Sequence, residues 1–145
     1  MPLGERHDPY AQFNFLVEID GVTRGGFTEA SGLNAEQEVV EYREGSDDTT
    51  VRKLAGLKTF PNIKLNRGFT QDFELWLWRK TVLDGTTERR SGSVVLLDEA
   101  RQEALRFNFR EGWICKWEGP QLNSTTNEVA IESIEICHEG IELVV

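Results

Sequence analysis

The chain has 145 residues and a formal net charge of −9 at pH 7, and 39% of its residues are hydrophobic. This length suits one domain with a sizeable core, so we interpret residues 1–145 as a single domain. The negative charge argues against nucleic acid as a specific partner, because phosphate binding requires clustered Lys and Arg. No apolar run reaches the roughly 18 residues that a membrane-spanning helix needs.

The N-terminal residues and the cysteines bear on where the protein is made. Residues 1–10 are polar and lack the apolar segment of a secretory signal, and we expect residues 1–12 to form a flexible arm. Cys115 and Cys137 are too few for a disulfide framework. We therefore expect reduced thiols in a protein made in the cytoplasm and not inserted in a membrane.

The first half of the chain shows strand patterns of two kinds. Residues 13–19 alternate apolar and polar side chains, which is typical of a strand with one buried face, and a short strand is expected near residues 27–29. Residues 36–44 are different, because neither face of that strand is apolar enough to close a core. A strand of this kind is solvated on one side or pairs with something outside the chain.

A polar segment with turn residues follows and predicts a long hairpin whose tip, residues 45–57, projects from the body. Asp47 and Asp48 lie on one limb, and Arg52 and Lys53 lie on the other. Mixed charge of this kind is suited to contact with a neighbouring molecule.

One helix is predicted over residues 71–83, with Thr70 as the N-cap and Gly85 just beyond the C-terminus. Its apolar residues fall into two nearly opposite sectors. The first sector holds Phe73, Trp76, Leu77 and Leu83, and the second holds Leu75, Trp78 and Val82. One sector is expected to cover the sheet of its own subunit and the other to meet a partner.

Further strands are expected in the second half, so the fold class is mainly β with one helix. They are predicted at 62–67, 94–97, 104–109 and 128–143, and Trp113 and Trp117 lie in the segment 112–119. In the last run, Val129 and Ile131 share one parity while Ile134 and Ile136 share the other. This change predicts a bulge near residues 132–133 or a face that changes partners.

Catalytic and metal-binding patterns are weak. His7 and His138 lack further ligands at a suitable spacing, and we interpret His138 as a half-exposed strand residue. Cys115 is interpreted as a buried structural cysteine. The many glutamates, including Glu132, are interpreted as solvated faces because none is distinguished from the others. We predict no cofactor, no metal and no enzymatic activity.

Several stretches together resemble the tail tube family of contractile phages and contractile injection systems. They are Asp8–Tyr10 with Phe13–Ile19, Gly26–Leu33, Glu41–Gly45, Arg52–Leu57, Leu65–Thr70, Trp113–Pro120 and Asn127–Glu139. Each motif is weak alone, but together they span nearly the whole chain. Ala55 and Ile114 depart from the family pattern by standing where prolines are common.

The resemblance implies two packed antiparallel sheets that form a sandwich-like barrel flanked by one helix. It further implies homohexameric rings that stack into a hollow tube inside a contractile sheath, with baseplate and cap proteins at the tube ends. The lumen would be available to protein cargo. Such a particle would be assembled in the bacterial cytoplasm and then be released or attached to a membrane.

Residue-level expectations follow from combining this resemblance with the patterns above. Contacts between subunits and rings are expected at Asp47, Asp48, Thr50, Arg52, Lys53 and Trp78, and Glu36 and Glu38 are expected to face an acidic lumen. Three alternatives remain. The chain is a tube-initiator paralogue in the baseplate, a monomeric β-barrel binding module whose Trp residues line a pocket, or, least favoured, a hydrolase without an evident nucleophile.

Overall fold

The structure, a computed structural model, describes residues 14–20, 27–45 and 50–145. These residues form strands and a single helix, which confirms the mainly β class. The elements are β1 (Phe15–Ile19), β2 (Phe27–Ser31), β3 (Glu36–Tyr42), β4 (Arg52–Thr59), β5 (Ile63–Gly68), α1 (Glu74–Leu83), β6 (Arg90–Leu97), β7 (Glu103–Glu118), β8 (Ile131–Cys137) and β9 (Gly140–Val144).

The long strand β7 organises the body of the fold. Its first part pairs with β6 on one side and β9 on the other, and its second part, from Trp113, pairs with β8. The strand order β1-β6-β7-β8-β5-β2 is therefore continuous, with β9 attached to β7, and every pairing is antiparallel. β7 thus belongs to two sheets, one formed with β1, β6 and β9 and the other with β8, β5 and β2.

The core is filled by the inward-pointing residues of both sheets together with one side of the helix. It comprises Val17, Ile19, Ile63, Leu65, Leu75, Trp78, Val94, Phe109, Ile114, Ile134 and Ile136. In β1 the predicted alternation is confirmed for Val17 and Ile19, which are buried. Phe13, assigned to the same face, lies outside the described residues.

The C-terminal run differs from its prediction because it forms two strands, β8 and β9. β8 pairs with β5 without interruption, so the bulge expected at residues 132–133 is not present there. The register shift lies instead on β7, between Ile114 and Lys116, where Cys115 is the additional residue. Val129 and Ile131 are exposed, which explains their opposite parity.

Helix α1 begins later than predicted, with Phe73 at the N-cap position and Glu74 as its first residue. The preceding turn uses Thr70, whose hydroxyl accepts from the Asp72 amide at 3.2 Å, and Asp72, whose carboxylate accepts from the Glu74 amide at 3.2 Å. These side-chain bonds stabilise a turn before the helix, so Thr70 does not cap it. The predicted C-terminal glycine is confirmed, because Gly85 has φ of +83°.

β3 and β4 form a separate two-stranded antiparallel sheet. Every residue of β3 is exposed, and in β4 only Gly56 is partly covered. The predicted hairpin with an unfilled strand is therefore confirmed for its two limbs. Of the predicted tip, residues 46–49, which include Asp47 and Asp48, lie outside the described residues, as does the predicted arm at residues 1–12. Residues 52–57 of the predicted tip belong to strand β4.

Candidate assembly surfaces

The environment of Cys115 disfavours the thiolate that a nucleophile needs. Cys115 and Cys137 are free thiols. The pKa of Cys115 is raised from its ordinary value, mainly because burial disfavours the thiolate, and in addition by nearby Cys137 and Glu135. Among the described residues, no cluster of three or more His, Cys, Asp or Glu side chains is placed to hold a metal ion.

His138 is a core residue, so its interpretation as a half-exposed strand residue was wrong. Only 7% of it is exposed, and its ring packs near those of Phe60 and Phe109. The Nε2 atom lies 3.1 Å from the Pro61 carbonyl oxygen, a distance suited to a hydrogen bond donated by the ring. These contacts give His138 a role in packing the end of the barrel.

A buried ion pair joins β5 to β8. Arg67 and Glu132 face each other directly in the strand register, and they are only 5% and 2% exposed. The Arg67 Nε donates to Glu132, whose second carboxylate oxygen accepts from Trp117 Nε1 at 3.2 Å. Arg67 also donates to the Asp72 carbonyl oxygen at 2.9 Å, which fixes the chain leading into α1.

Sequence reasoning placed Glu132 on a solvated face, and the structure corrects this. The sequence did contain a signal for the burial of Glu132, because its side chain lies on the same face of the strand as the buried Ile134 and Ile136. The identity of its partner depends on the pairing of β5 with β8, two strands that are far apart in the chain.

The side of helix α1 that holds Trp78 is buried, whereas we expected it to meet a partner. Trp78 is 1% exposed, and its Nε1 donates to the Glu88 carbonyl at 2.7 Å. The assignment of Trp78 as a contact between subunits is therefore wrong, because the side chain is already covered by its own subunit. Arg79 also reaches inward and donates to the Ile114 carbonyl of β7 at 3.2 Å.

The exposed side of α1 carries the other apolar sector and forms a surface that we call the aromatic pocket. Its lining residues are Phe69, Phe73, Trp76, Trp117 and Glu132, around a cavity of about 260 Å³. The rings of Trp76 and Trp117 are 5.0 Å apart at an angle of 58°, an arrangement favourable for aromatic pairs. Further along the helix, Leu77 and Leu83 are each 58% exposed.

One face of the hairpin of β3 and β4 carries three large apolar side chains. Val40 lies opposite Leu54, and Tyr42 lies opposite Arg52, so these four side chains share a face. We call it the hairpin apolar face. Val40, Tyr42 and Leu54 are exposed. Contiguous exposed apolar side chains on a folded protein usually mark a surface that binds a partner.

The other predicted contact and lumen residues that the structure describes lie on or beside this hairpin. Thr50, just before β4, and Arg52 and Lys53, at its start, are exposed, as an intersubunit contact requires. Glu36 and Glu38 are exposed too, but they share the parity of Val40 and Tyr42 in β3. Their placement in a lumen remains a prediction. It requires one end of this hairpin face to line the lumen while the other end contacts a neighbouring subunit.

The sequence profile described as T4-like virus tail tube protein gp19 matches residues 11–142. No protein among the curated sequences matches the chain. In the described part of the chain, no helix has the length and apolar character needed to cross a membrane.

Solved structures share the fold. A chain in the structure titled as the anti-feeding prophage tube-terminating cap matches with a TM-score of 0.87, 23% identity and 99% coverage of both chains. A chain of the PVC sheath-tube complex of an extracellular contractile injection system matches with a TM-score of 0.84 and 22% identity, over 94% of this chain and 91% of that one. Hcp1 from Flavobacterium johnsoniae matches with a TM-score of 0.56 and 17% identity, over 90% of this chain and 94% of that one.

Proposed function

Because the chain belongs to the T4-like virus tail tube protein family, we propose that it is the repeating subunit of the inner tube of a contractile injection system. In this proposal, homohexameric rings stack into a hollow tube that sheath contraction drives into a target. The chain acts as a structural component and not as an enzyme. Sheath protein surrounds the tube, and cap and baseplate proteins bind its ends.

The observation that carries the proposal is a hairpin that the subunit itself leaves uncovered. Val40, Tyr42 and Leu54 are exposed on a two-stranded sheet that pairs with no other described strand. An isolated two-stranded sheet is at best marginally stable in water. Contact with neighbouring copies would bury its apolar face and stabilise it, which accounts for apolar residues at these positions.

Open sheet edges support lateral contact between copies. Within the described residues, β1, β2 and β9 each pair on one side only. An unpaired edge is a template for pairing with another chain, and closure into a ring removes it. Edge-to-edge pairing would thus give the ring, while the hairpin extends from one copy to another.

An injection system, as distinct from a DNA-carrying phage tail, is supported by two solved chains of the same fold, whose structures are titled as parts of an extracellular contractile injection system. The lumen is then available to protein cargo. Glu36→Lys with Glu38→Lys should leave tubes intact and alter cargo retention. Loss of the tubes themselves would count against the lumen placement.

The proposal is tested by negative-stain microscopy of the purified protein beside size-exclusion chromatography. Rings or stacked tubes are expected, and Leu54→Asp should abolish them because it places a charge on the hairpin apolar face. Leu122→Asp is the matched control, because Leu122 is also exposed but belongs to the loop between β7 and β8. A monomer at all concentrations, even with baseplate components added as nuclei, would exclude the proposed function.

A tube initiator in the baseplate is the second candidate, and one comparison favours it. A chain in the anti-feeding prophage baseplate structure matches with a TM-score of 0.76 and 19% identity. Copy number in purified particles separates the two functions, because the main tube subunit must greatly outnumber every baseplate component.

A further inference from the structure

We propose that the aromatic pocket binds a quaternary ammonium group, such as the trimethylammonium group of choline. This inference goes beyond the proposed function, because it concerns a small ligand of the single subunit and requires no assembly. It rests on the aromatic walls of the pocket, on the carboxylate at its base, and on the hydrogen bonds that this carboxylate already makes.

Four of the five side chains that line the pocket are aromatic. They are Phe69, Phe73, Trp76 and Trp117. Phe69, Phe73 and Trp76 are between 37% and 53% exposed, so ring surface is accessible to a ligand. The face of an aromatic ring carries partial negative charge and attracts a cation within about 6 Å of its centre. Several rings around one hollow therefore favour a cation over a neutral group of the same shape.

The fifth lining side chain is the carboxylate of Glu132, and the five include no Lys or Arg. Glu132 is only 2% exposed, so solvent screens its charge weakly. Arg67 pairs with Glu132, but it also pairs with the Asp72 carboxylate at 3.3 Å. One guanidinium is thus shared by two carboxylates, which leaves a net negative charge in the network beneath the pocket.

The hydrogen bonds of Glu132 decide which kind of cation fits. One carboxylate oxygen accepts from Arg67 Nε and the other from Trp117 Nε1 at 3.2 Å. The buried carboxylate therefore offers no ready acceptor to an N–H group of a ligand. A primary ammonium or a guanidinium would lose hydrogen bonds to water here without replacing them, which costs free energy. A quaternary ammonium has no N–H group, so it avoids this cost and keeps its attraction to the rings.

The size and rigidity of the pocket agree with a compact ligand. Its cavity of about 260 Å³ is smaller than the roughly 300–1,000 Å³ that is typical of sites for drug-sized molecules. The rings of Trp76 and Trp117 pack 5.0 Å apart, and Trp117 is bonded to Glu132, so part of the wall is fixed before a ligand arrives. A preformed wall reduces the ordering cost of binding.

A titration with three small probes tests the charge and the methyl groups separately. Choline, its neutral carbon isostere 3,3-dimethylbutanol, and ethanolamine are added to the full chain at constant ionic strength, below the concentration at which copies associate, while tryptophan fluorescence is followed. Choline should bind about fivefold more tightly than 3,3-dimethylbutanol, the effect of one cation–π contact, and also more tightly than ethanolamine. Equal affinity for choline and either other probe would overturn the inference, as would no response to choline.

A substitution locates the site. Phe73→Leu removes one ring from the lining and keeps Trp76 and Trp117 as reporters. It should weaken choline binding about fivefold and leave the affinity for 3,3-dimethylbutanol nearly unchanged. Phe15→Leu is the matched control, because Phe15 lines a separate hollow beside β1 and β2. Circular dichroism checks that both variants fold, and equal choline affinities for the two variants would contradict the site.

Vesicle flotation distinguishes free choline from the choline headgroup of a phospholipid. Flotation with phosphatidylcholine vesicles but not with phosphatidylethanolamine vesicles would identify the headgroup as a ligand. Binding of choline without flotation would identify the free cation, and both results support the site. Flotation with the two lipids alike would contradict it, because the contact would then not depend on the methyl groups.

Discussion

The buried pair of Arg67 and Glu132 allows a prediction about stability. We expect Glu132→Ala to destabilise the subunit strongly, because it leaves the Arg67 guanidinium buried without its main counter-charge. Exchanging the pair for apolar side chains, Arg67→Met with Glu132→Leu, should instead be nearly neutral. A buried ion pair costs much of its attraction in desolvation, and apolar replacements remove that cost.

The magnitude follows from the contacts that remain. Breaking a buried pair costs about 3–5 kcal/mol. Arg67 keeps its bond to the Asp72 carbonyl oxygen, so we expect about 3 kcal/mol, the lower end of that range. Trp117 Nε1 loses its acceptor in both variants, but it lines the open pocket and can bond to water. The double variant should therefore lie within about 1 kcal/mol of the wild type.

The measurement is equilibrium unfolding in guanidinium chloride, followed by tryptophan fluorescence. It is carried out below the concentration at which copies associate, because assembly would add to the apparent stability of the folded subunit. A loss below about 1 kcal/mol for Glu132→Ala would refute the reasoning, as would a double variant as unstable as the single one.

Two further predictions concern the backbone and the thiols. Gly32→Ala should cost about 2–4 kcal/mol, because Gly32 has φ of +85° and a Cβ there would stand 2.1 Å from the Asn62 carbonyl oxygen. Gly85→Ala is its matched control, with a φ of +83° but open space, and should cost only about 1 kcal/mol. Cys115 should be alkylated more slowly than a free thiol at pH 8.5, since its raised pKa keeps it protonated. The stabilising effect of the neutral thiol is full below the ordinary cysteine pKa of about 8.5 and is lost as the pH rises through the higher folded-state value.

These two predictions have distinct contrary outcomes. Equal unfolding midpoints for Gly32→Ala and Gly85→Ala would show that the contact with Asn62 relaxes at little cost. Alkylation of Cys115 at the rate of a model thiol, followed by peptide mass spectrometry, would show that burial does not restrain its ionisation.

Elements with a single clear periodicity were predictable from the sequence. β1 is buried on the face that its alternation predicted, and β3 is exposed on both faces as its few apolar residues predicted. The helix ends before the expected glycine. The start of α1 was misplaced because Thr70 and Asp72 both have side chains that cap local turns, and three residues of turn precede the helix. Local signals identify the cap residue types but do not choose between adjacent turns.

The orientation of the helix was not predictable, for a physical reason. Both sectors of α1 are apolar. Hydrophobic periodicity indicates which side of a helix is buried only when the other side is polar. Trp78 turned inward because its indole N–H reaches the Glu88 carbonyl, a contact that depends on the loop after the helix. The same limit applies to Glu132, whose burial depends on an arginine supplied by a strand distant in sequence.

Strand β7 has a mechanical consequence for a subunit that is driven along an axis, as our proposed function requires. Because its peptide bonds run through both sheets, a force applied to one sheet reaches the other along covalent backbone. The backbone hydrogen bonds that join β7 to β6, β9 and β8 then resist this force in shear. Resistance to sliding of one sheet against the other therefore does not depend on side-chain packing alone. The two sheets would move as one stiff body under axial thrust.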